Sequence, residues 1–298
     1  MSYASWQNPV FLSELNDYQN GYAANRPFVS SDGMLLYFVR STPTKLDALW
    51  EARRNPQTGI FDQQRQLSEL KYGGAQVYGH WLSPDNLRLY YAASDPAALG
   101  WSKRPIWLAT RTSINAPWQL VRRCTELEID NFQTSCSLTA DEKVMMWESV
   151  SFTGGGQKRI YLSMRPSIRD TFSAFREVTE LEDLGAWLPR LSPDGLSVYF
   201  RILKSDSIYE SWIGYRESLY TRFDKFSPLE EINEAGNVTD ICPTWDGREL
   251  VYFQRQGEVG DLNTTGIFVS QWVDDPYADA VGALQRAAAK KQQAIELL

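Results

Sequence analysis

Apolar and polar positions alternate with a period of two along most of this chain, in short runs closed by turn residues. The clearest stretch is Leu188 to Arg201, Leu-Pro-Arg-Leu-Ser-Pro-Asp-Gly-Leu-Ser-Val-Tyr-Phe-Arg. One apolar run ends in Ser-Pro-Asp-Gly and a second, carrying an aromatic pair, begins. That pattern predicts a β-hairpin. Pro193 presets φ at the first central turn position, Asp194 can accept from nearby backbone amides, and Gly195 tolerates the positive φ that closes the turn.

The pattern recurs at Pro27 to Val39, His80 to Ala92, Cys136 to Glu148 and Ile241 to Gln254. The turn aspartates Asp32, Asp85, Asp141, Asp194 and Asp246 are about 53 residues apart, a period in the range of propeller blades. A bulky pair follows each turn: Tyr37-Phe38, Tyr90-Tyr91, Met146-Trp147, Tyr199-Phe200 and Tyr252-Phe253. The third copy is the most eroded, because Glu142 stands where glycine or asparagine would best tolerate positive φ.

Two further runs complete each repeat. The third strand is expected at Leu49 to Ala52, Ile106 to Ala109, Ile160 to Ser163, Ser218 to Thr221 and Ile267 to Ser270. The fourth is an aromatic-led segment at Phe61 to Leu70, Trp118 to Leu127, Phe175 to Leu181 and Phe226 to Ile232. No such segment follows Phe268. Trp6 to Leu15 has its pattern instead, so the N-terminal strand is expected to complete the last sheet and remove the open edges of the array. The expected fold is all-β, a five-bladed propeller of four-stranded blades over residues 1–272, followed by a C-terminal α-helical tail over 273–298. The tail begins near a capping Asp275 and Pro276, and its thin apolar stripe either packs on the propeller or serves a partner.

The turn and the Leu-x-Tyr-Phe that follows it resemble the TolB-type, WD40-like β-propeller repeat, over roughly residues 6–272. The resemblance implies fold far more than function, since the family spans periplasmic scaffolds, peptidase propeller domains and sugar lyases.

Composition narrows the partners. Thirty basic residues against 37 acidic ones give a net charge of −7, which opposes general attraction to nucleic acid or anionic lipid. The start of the chain lacks a basic, apolar leader and no run approaches membrane-spanning length, so a cytoplasmic, soluble protein is expected. Cys124, Cys136 and Cys242 are odd in number and lack Cys-x-x-Cys spacing; buried, reduced thiols are expected. A lone histidine excludes multi-histidine metal sites, no cofactor is expected, and carboxylate coordination of calcium stays open.

Chemistry is expected on the face opposite the Asp-Gly turns, where the loops between second and third strands and between blades converge. First strands should border the channel there with Arg26, Tyr78, His80, Asp130, Gln133, Trp187, Arg190 and Asp240. A second column follows the bulky pairs: Val39, Ala92, Glu148, Arg201 and Gln254. Glu148 and Arg201 form either an ion pair between blades or an acid-base centre tuned by the arginine. Trp101, and Tyr209, Trp212 and Tyr215 in an expected long loop from Leu203 to Glu217, form either a stacking wall over a ligand or a satellite core. Three functions fit this sequence. One is a binding propeller for a carbohydrate or other small molecule. The second is a carboxylate-dependent enzyme using Glu148, Asp130, Asp240 and His80. The third is a scaffold that binds a protein on its loop face.

Overall fold

The computed structural model describes residues 5–41, 47–70, 77–94, 103–129, 132–151, 157–205, 208–234, 236–255 and 262–273. The expected tail helix, Trp101 and Asp130 lie outside them.

Five antiparallel four-stranded sheets are present. Blade 5 opens the chain with β1 (Ser5–Phe11). Blade 1 holds β2 (Asn25–Val29), β3 (Leu35–Ser41), β4 (Asp47–Arg54) and β5 (Phe61–Gln66). Blade 2 holds β6 (Val77–Leu82), β7 (Arg88–Ala93), β8 (Ile106–Thr110) and β9 (Gln119–Arg123). Blade 3 holds β10 (Phe132–Leu138), β11 (Val144–Val150), β12 (Lys158–Met164) and β13 (Ala174–Glu177). Blade 4 holds β14 (Trp187–Leu191), β15 (Ser197–Ser205), β16 (Ile208–Tyr215) and β17 (Lys225–Pro228). Blade 5 is completed by β18 (Asn237–Pro243), β19 (Glu249–Arg255) and β20 (Thr265–Val273). In that last sheet β1 pairs with β20, with Ser5 opposite Val273 and Phe11 opposite Phe268, so the two ends of the ring close as expected. Asn16 reinforces the seam: its Nδ2 donates to the carbonyls of Leu262 and Thr265 and its Oδ1 accepts from the Ala24 amide.

One hydrogen-bond unit repeats at every turn. A hydroxyl two residues before the aspartate (Ser30, Ser83, Thr139, Ser192, Thr244) donates to its Oδ1. The same Oδ1 accepts from the amide two residues further on. The residue after each aspartate is left-handed in all five blades, at Gly33, Asn86, Glu142, Gly195 and Gly247. Glu142 therefore carries the glycine conformation at φ 57°, and its buried carboxylate is clamped by Arg88 of blade 2, 2.6 Å away at closest. That charge-assisted clamp offsets the backbone cost of the eroded turn.

A second repeat was not foreseen. Arg54, Arg111, Arg165 and Arg216 each lie over an aromatic ring seven residues later, Phe61, Trp118, Phe172 and Phe223, with guanidinium carbons 4.4–4.8 Å from the ring centroids. In blades 2 to 4 the arginine Nε also donates to the carbonyl of the left-handed turn residue. In blade 5 Trp272 takes the arginine's place and meets Trp6 edge-on.

Two local expectations are corrected. The third strand of blade 4 is β16, and Ser218 to Thr221 is a turn that leaves Tyr220 87% exposed. The hairpin β15–β16 is long and its outer end, around Lys204, is exposed on both sides, so the burial alternation that marks a strand is lost there. In blade 5 the residue equivalent to Arg201 is Phe253, not Gln254: Phe253 pairs with Thr239 as Arg201 pairs with Trp187. The bulky pair of that blade is Val251-Tyr252, one residue earlier than expected.

Candidate functional site

Every first strand carries a register break near its start, at Asn25/Phe28, Val77/His80, Gln133/Ser135, Trp187/Arg190 and Thr239/Cys242. A bulge of this kind re-aims side chains and often lies beside functional sites. Here it brings Arg26, Gly79, Ser135, Leu188 and Asp240, one from each blade, around a cavity that Thr134, Cys136, Pro189 and Arg190 also line. Three of them, Arg26, Leu188 and Asp240, have left-handed backbones (φ 50°, 50° and 56°), an uncommon conformation for residues other than glycine. The cavity is the axial mouth, and its free space is only about 20 Å³. Below it Phe28, Trp81, Arg190, Cys242 and Trp245 leave about 10 Å³, so the axis is nearly filled by side chains.

Cations and aromatic rings cover the strand ends around the mouth. Arg26 and Arg104 both lie on the Tyr78 ring, at 4.2 and 3.5 Å from its centroid. Lys158 lies 4.2 Å from the Trp187 ring, and Arg201 lies 4.3 Å from that of Tyr209. Two carboxylates lie near these cations: Asp47 is 3.8 Å from Arg26, and Asp240 is 4.0 Å from Arg201. Burial lowers the Lys158 ammonium from its usual range.

Glu148 is 0% exposed, and among the described residues Arg201 is ion-paired with Asp240 rather than with Glu148. Its carboxyl accepts from the Thr134 hydroxyl and, at 2.8 Å, from the Leu188 amide of blade 4. Burial raises its pKa above the usual carboxylate range, opposed by these two donors and by Lys158 and Arg201. The folded state thus binds this proton more tightly than the unfolded chain. Its contribution to stability is fully present below the unfolded pKa and is lost as pH rises through the folded one. Glu148→Gln, which mimics the neutral acid because the Thr134 hydroxyl can rotate to accept, removes this dependence. Urea titrations from about pH 4 to about pH 7 should show the parent losing ground to the variant as pH rises. A constant difference between the two would contradict the assignment.

The sequence-derived residues divide. Arg26, Tyr78, Trp187, Arg190, Arg201, Tyr209 and Asp240 come together at the mouth. His80 does not border the open channel: it is 1% exposed against Phe28, and burial, followed by the charge of Arg190, lowers its pKa to about 3. Gln133 is also inside the protein, and its Nε2 faces the Leu127 carbonyl. The bulge accounts for Gln133, which pairs with Ser149 ahead of the register break; His80 shares the register of Cys136, which does line the cavity, and differs from it by lying against Phe28. Trp212 is a strand residue packed on the core of blades 3 and 4, and Tyr215 lies at the turn-face end of β16. Neither belongs to a loop wall. Arg104, Lys158, Asp47 and Thr134 were missed. Asp47 and Lys158 open third strands and Arg104 comes just before one, so a charged residue recurring at that point in blades 1 to 3 was the available signal.

A roomier groove of about 410 Å³ lies on the turn face between blades 5 and 1, lined by Asp32, Arg54, Asp246, Glu249 and Trp272 among others. Its acids are engaged structurally, Glu249 with Arg54 at 2.7 Å and the aspartates in their turns. Among the described residues no group of three or more His, Cys, Asp or Glu could hold a metal ion, and no helix is long and apolar enough to cross a membrane. The three cysteines are buried and form no disulfide, and burial raises Cys124 to about 12.

With four-stranded blades around a mouth of converging first strands, the chain is a five-bladed β-propeller. No family model and no curated protein matches the sequence. Among solved structures, the α-L-arabinofuranosidase from Lactobacillus brevis matches with a TM-score of 0.57 at 14% identity, over 90% of this chain and 95% of that one. An α-L-arabinofuranosidase from Podospora anserina matches at 0.51 and 13%, over 91% and 98%. TolB from Acinetobacter baumannii matches at 0.48 and 16%, over 85% of this chain and 55% of that one, so the chain spans about half that protein's length. At these identities the likeness is one of fold.

Proposed function

We propose that this propeller is a noncatalytic binding protein whose small-molecule ligand, a carbohydrate or other metabolite, sits on the axial mouth of the loop face. The observation that carries this reading is the convergence of one bulged residue from each blade on a single cavity, ringed by side chains that hydrogen-bond and stack. Neither nucleic acid nor membrane is part of this reading, given the net charge of −7.

The arabinofuranosidase neighbours raise glycoside hydrolysis as a second reading. Such chemistry uses two carboxyl groups facing each other across the scissile bond. Here Glu148 is closed off by Thr134 and Leu188, and Asp240 is turned toward Arg201. Binding without turnover is the reading that this geometry favours.

The test is a thermal-shift screen of the full chain against neutral and acidic sugars, nucleotides and common metabolites. A ligand at about 100 times its Kd adds about 2.7 kcal/mol, which raises Tm by several degrees in a domain of this size. Arg201→Ala should abolish the rise. No shift with any compound would overturn the proposal in favour of a protein-binding scaffold.

A further inference from the structure

We infer that the ligand of this mouth carries an oxyanion, a carboxylate or a phosphate, whose oxygen enters the axial cavity and is held by Arg190 and Arg26. The inference rests on the binding reading above and specifies its chemistry.

Space is the first argument. A cavity of about 20 Å³ admits little more than one water-sized group, so it can take the tip of an oxyanion but not a sugar ring. The ring of any ligand stays above, among Tyr78, Trp187 and Tyr209.

Charge is the second. Arg190 lines the mouth and also the space beneath it, with its guanidinium 5.0 Å from the Phe28 ring. Among the described residues no carboxylate lies within ion-pairing distance of Arg190, and its Nη1 is buried without a hydrogen-bond partner. A buried guanidinium N–H left unpaired costs free energy that an incoming oxygen acceptor would recover. Arg26 lines the same cavity, and its contact with Asp47 is long at 3.8 Å. Asp240 is the carboxylate lining the cavity, and it faces Arg201 at 4.0 Å.

The rings around the mouth point the same way. Tyr78, Trp187 and Tyr209 each carry a guanidinium or ammonium against the ring, so what they present to a ligand includes positive charge rather than bare stacking planes. Arg26, Arg104, Lys158, Arg190 and Arg201 converge here in a protein whose net charge is −7. Local field, not overall charge, selects what enters a confined site.

The experiment uses the full chain labelled with nitrogen-15 at arginine, whose side-chain Nε–H signals are followed by NMR during titration with inorganic phosphate, citrate, galacturonate and galactose. The expected result is saturable movement of the Arg190 and Arg26 signals with at least one anion, none at the rim residue Arg53, and galacturonate binding at least about tenfold tighter than galactose. Phosphate against citrate and galacturonate tells which oxyanion is preferred. Arg190→Gln should weaken the anion by about tenfold or more, while Arg190→Lys retains part of the affinity. Arg26→Gln gives an independent variant should Arg190→Gln fail to fold. Galactose moving the signals at the mouth as strongly as the anions would overturn the inference and leave the binding reading standing. No saturable movement with any of the four up to millimolar concentrations would overturn the inference, and a blank thermal-shift screen as well would remove both.

Discussion

Glu51→Ala should cost this protein about 3–5 kcal/mol of stability, the range for stripping one partner from a buried ion pair. Glu51 of blade 1 is 1% exposed in its side chain and faces Arg111 of blade 2, 0% exposed, at 2.8 Å. The Tyr37 hydroxyl donates to the same carboxylate oxygen, and Arg65 reaches the other at 3.3 Å. Burial, together with proximity to this carboxylate, keeps the Tyr37 hydroxyl well above its usual pKa. Removing the acid leaves the Arg111 guanidinium buried with the Asn86 carbonyl and the Trp118 ring for company. Urea denaturation of the variant should show a lower midpoint, and Glu51→Gln, which keeps acceptors in place, a smaller loss. Pairing Glu51→Leu with Arg111→Met should recover much of the deficit, because the penalty belongs to the unpaired charge. If alanine at 51 changes the midpoint by less than about 1 kcal/mol, the pair is not the fastener between blades 1 and 2 described above.

The second large effect is expected at Gly79. A Cβ built there would lie 2.5 Å from the Cα of Ser135, a contact with backbone rather than with a yielding side-chain tip. Blades 2 and 3 approach through bare backbone at this point, and the Cys136 thiol sits 3.6 Å from the Gly79 carbonyl. Gly79→Ala must push the two first strands apart, at a cost of about 1–3 kcal/mol typical of overpacking. Gly79 and Ser135 also line the mouth, so under the binding reading proposed above the variant should lose affinity for a compound that the thermal-shift screen finds, along with stability. Measuring the midpoint and the binding constant together separates the readings: affinity lost with stability intact would place Gly79 at the ligand alone, and neither changing would show that the strands have room to give.

The architecture was legible in the chain because its signal is redundant. Five aspartates in near-identical surroundings announce five turns, and the weak Thr139-Ala140-Asp141-Glu142 copy could be placed from its neighbours even though its left-handed residue is a glutamate. The seam was legible for the same reason, since Trp6 to Leu15 supplies the segment missing after Phe268. What failed was single-residue phase. A bulge adds one residue without altering composition, so Gln133 reads as channel lining although it lies ahead of the register break and inside the protein. The arginines that lie over Phe61, Trp118, Phe172 and Phe223 escaped notice because a seven-residue spacing across two strands matches neither period two nor a turn motif. Tyr209 and Arg201 were read as members of the site, but their contact with each other depends on a hairpin whose exposed end hid a strand.

The seam has a consequence for how the protein is made on the ribosome. β1 is synthesised before the other described strands, yet its partner β20 emerges after all of them, and Asn16 must wait equally long for the carbonyls of Leu262 and Thr265. Blades 1 to 4 are each contiguous in sequence and can assemble as they leave the exit tunnel, whereas β1 stays an unpaired edge until β20 has emerged. Closing the ring is therefore a late event by necessity, and an incomplete chain is left holding an open strand that a neighbouring nascent chain could pair with instead.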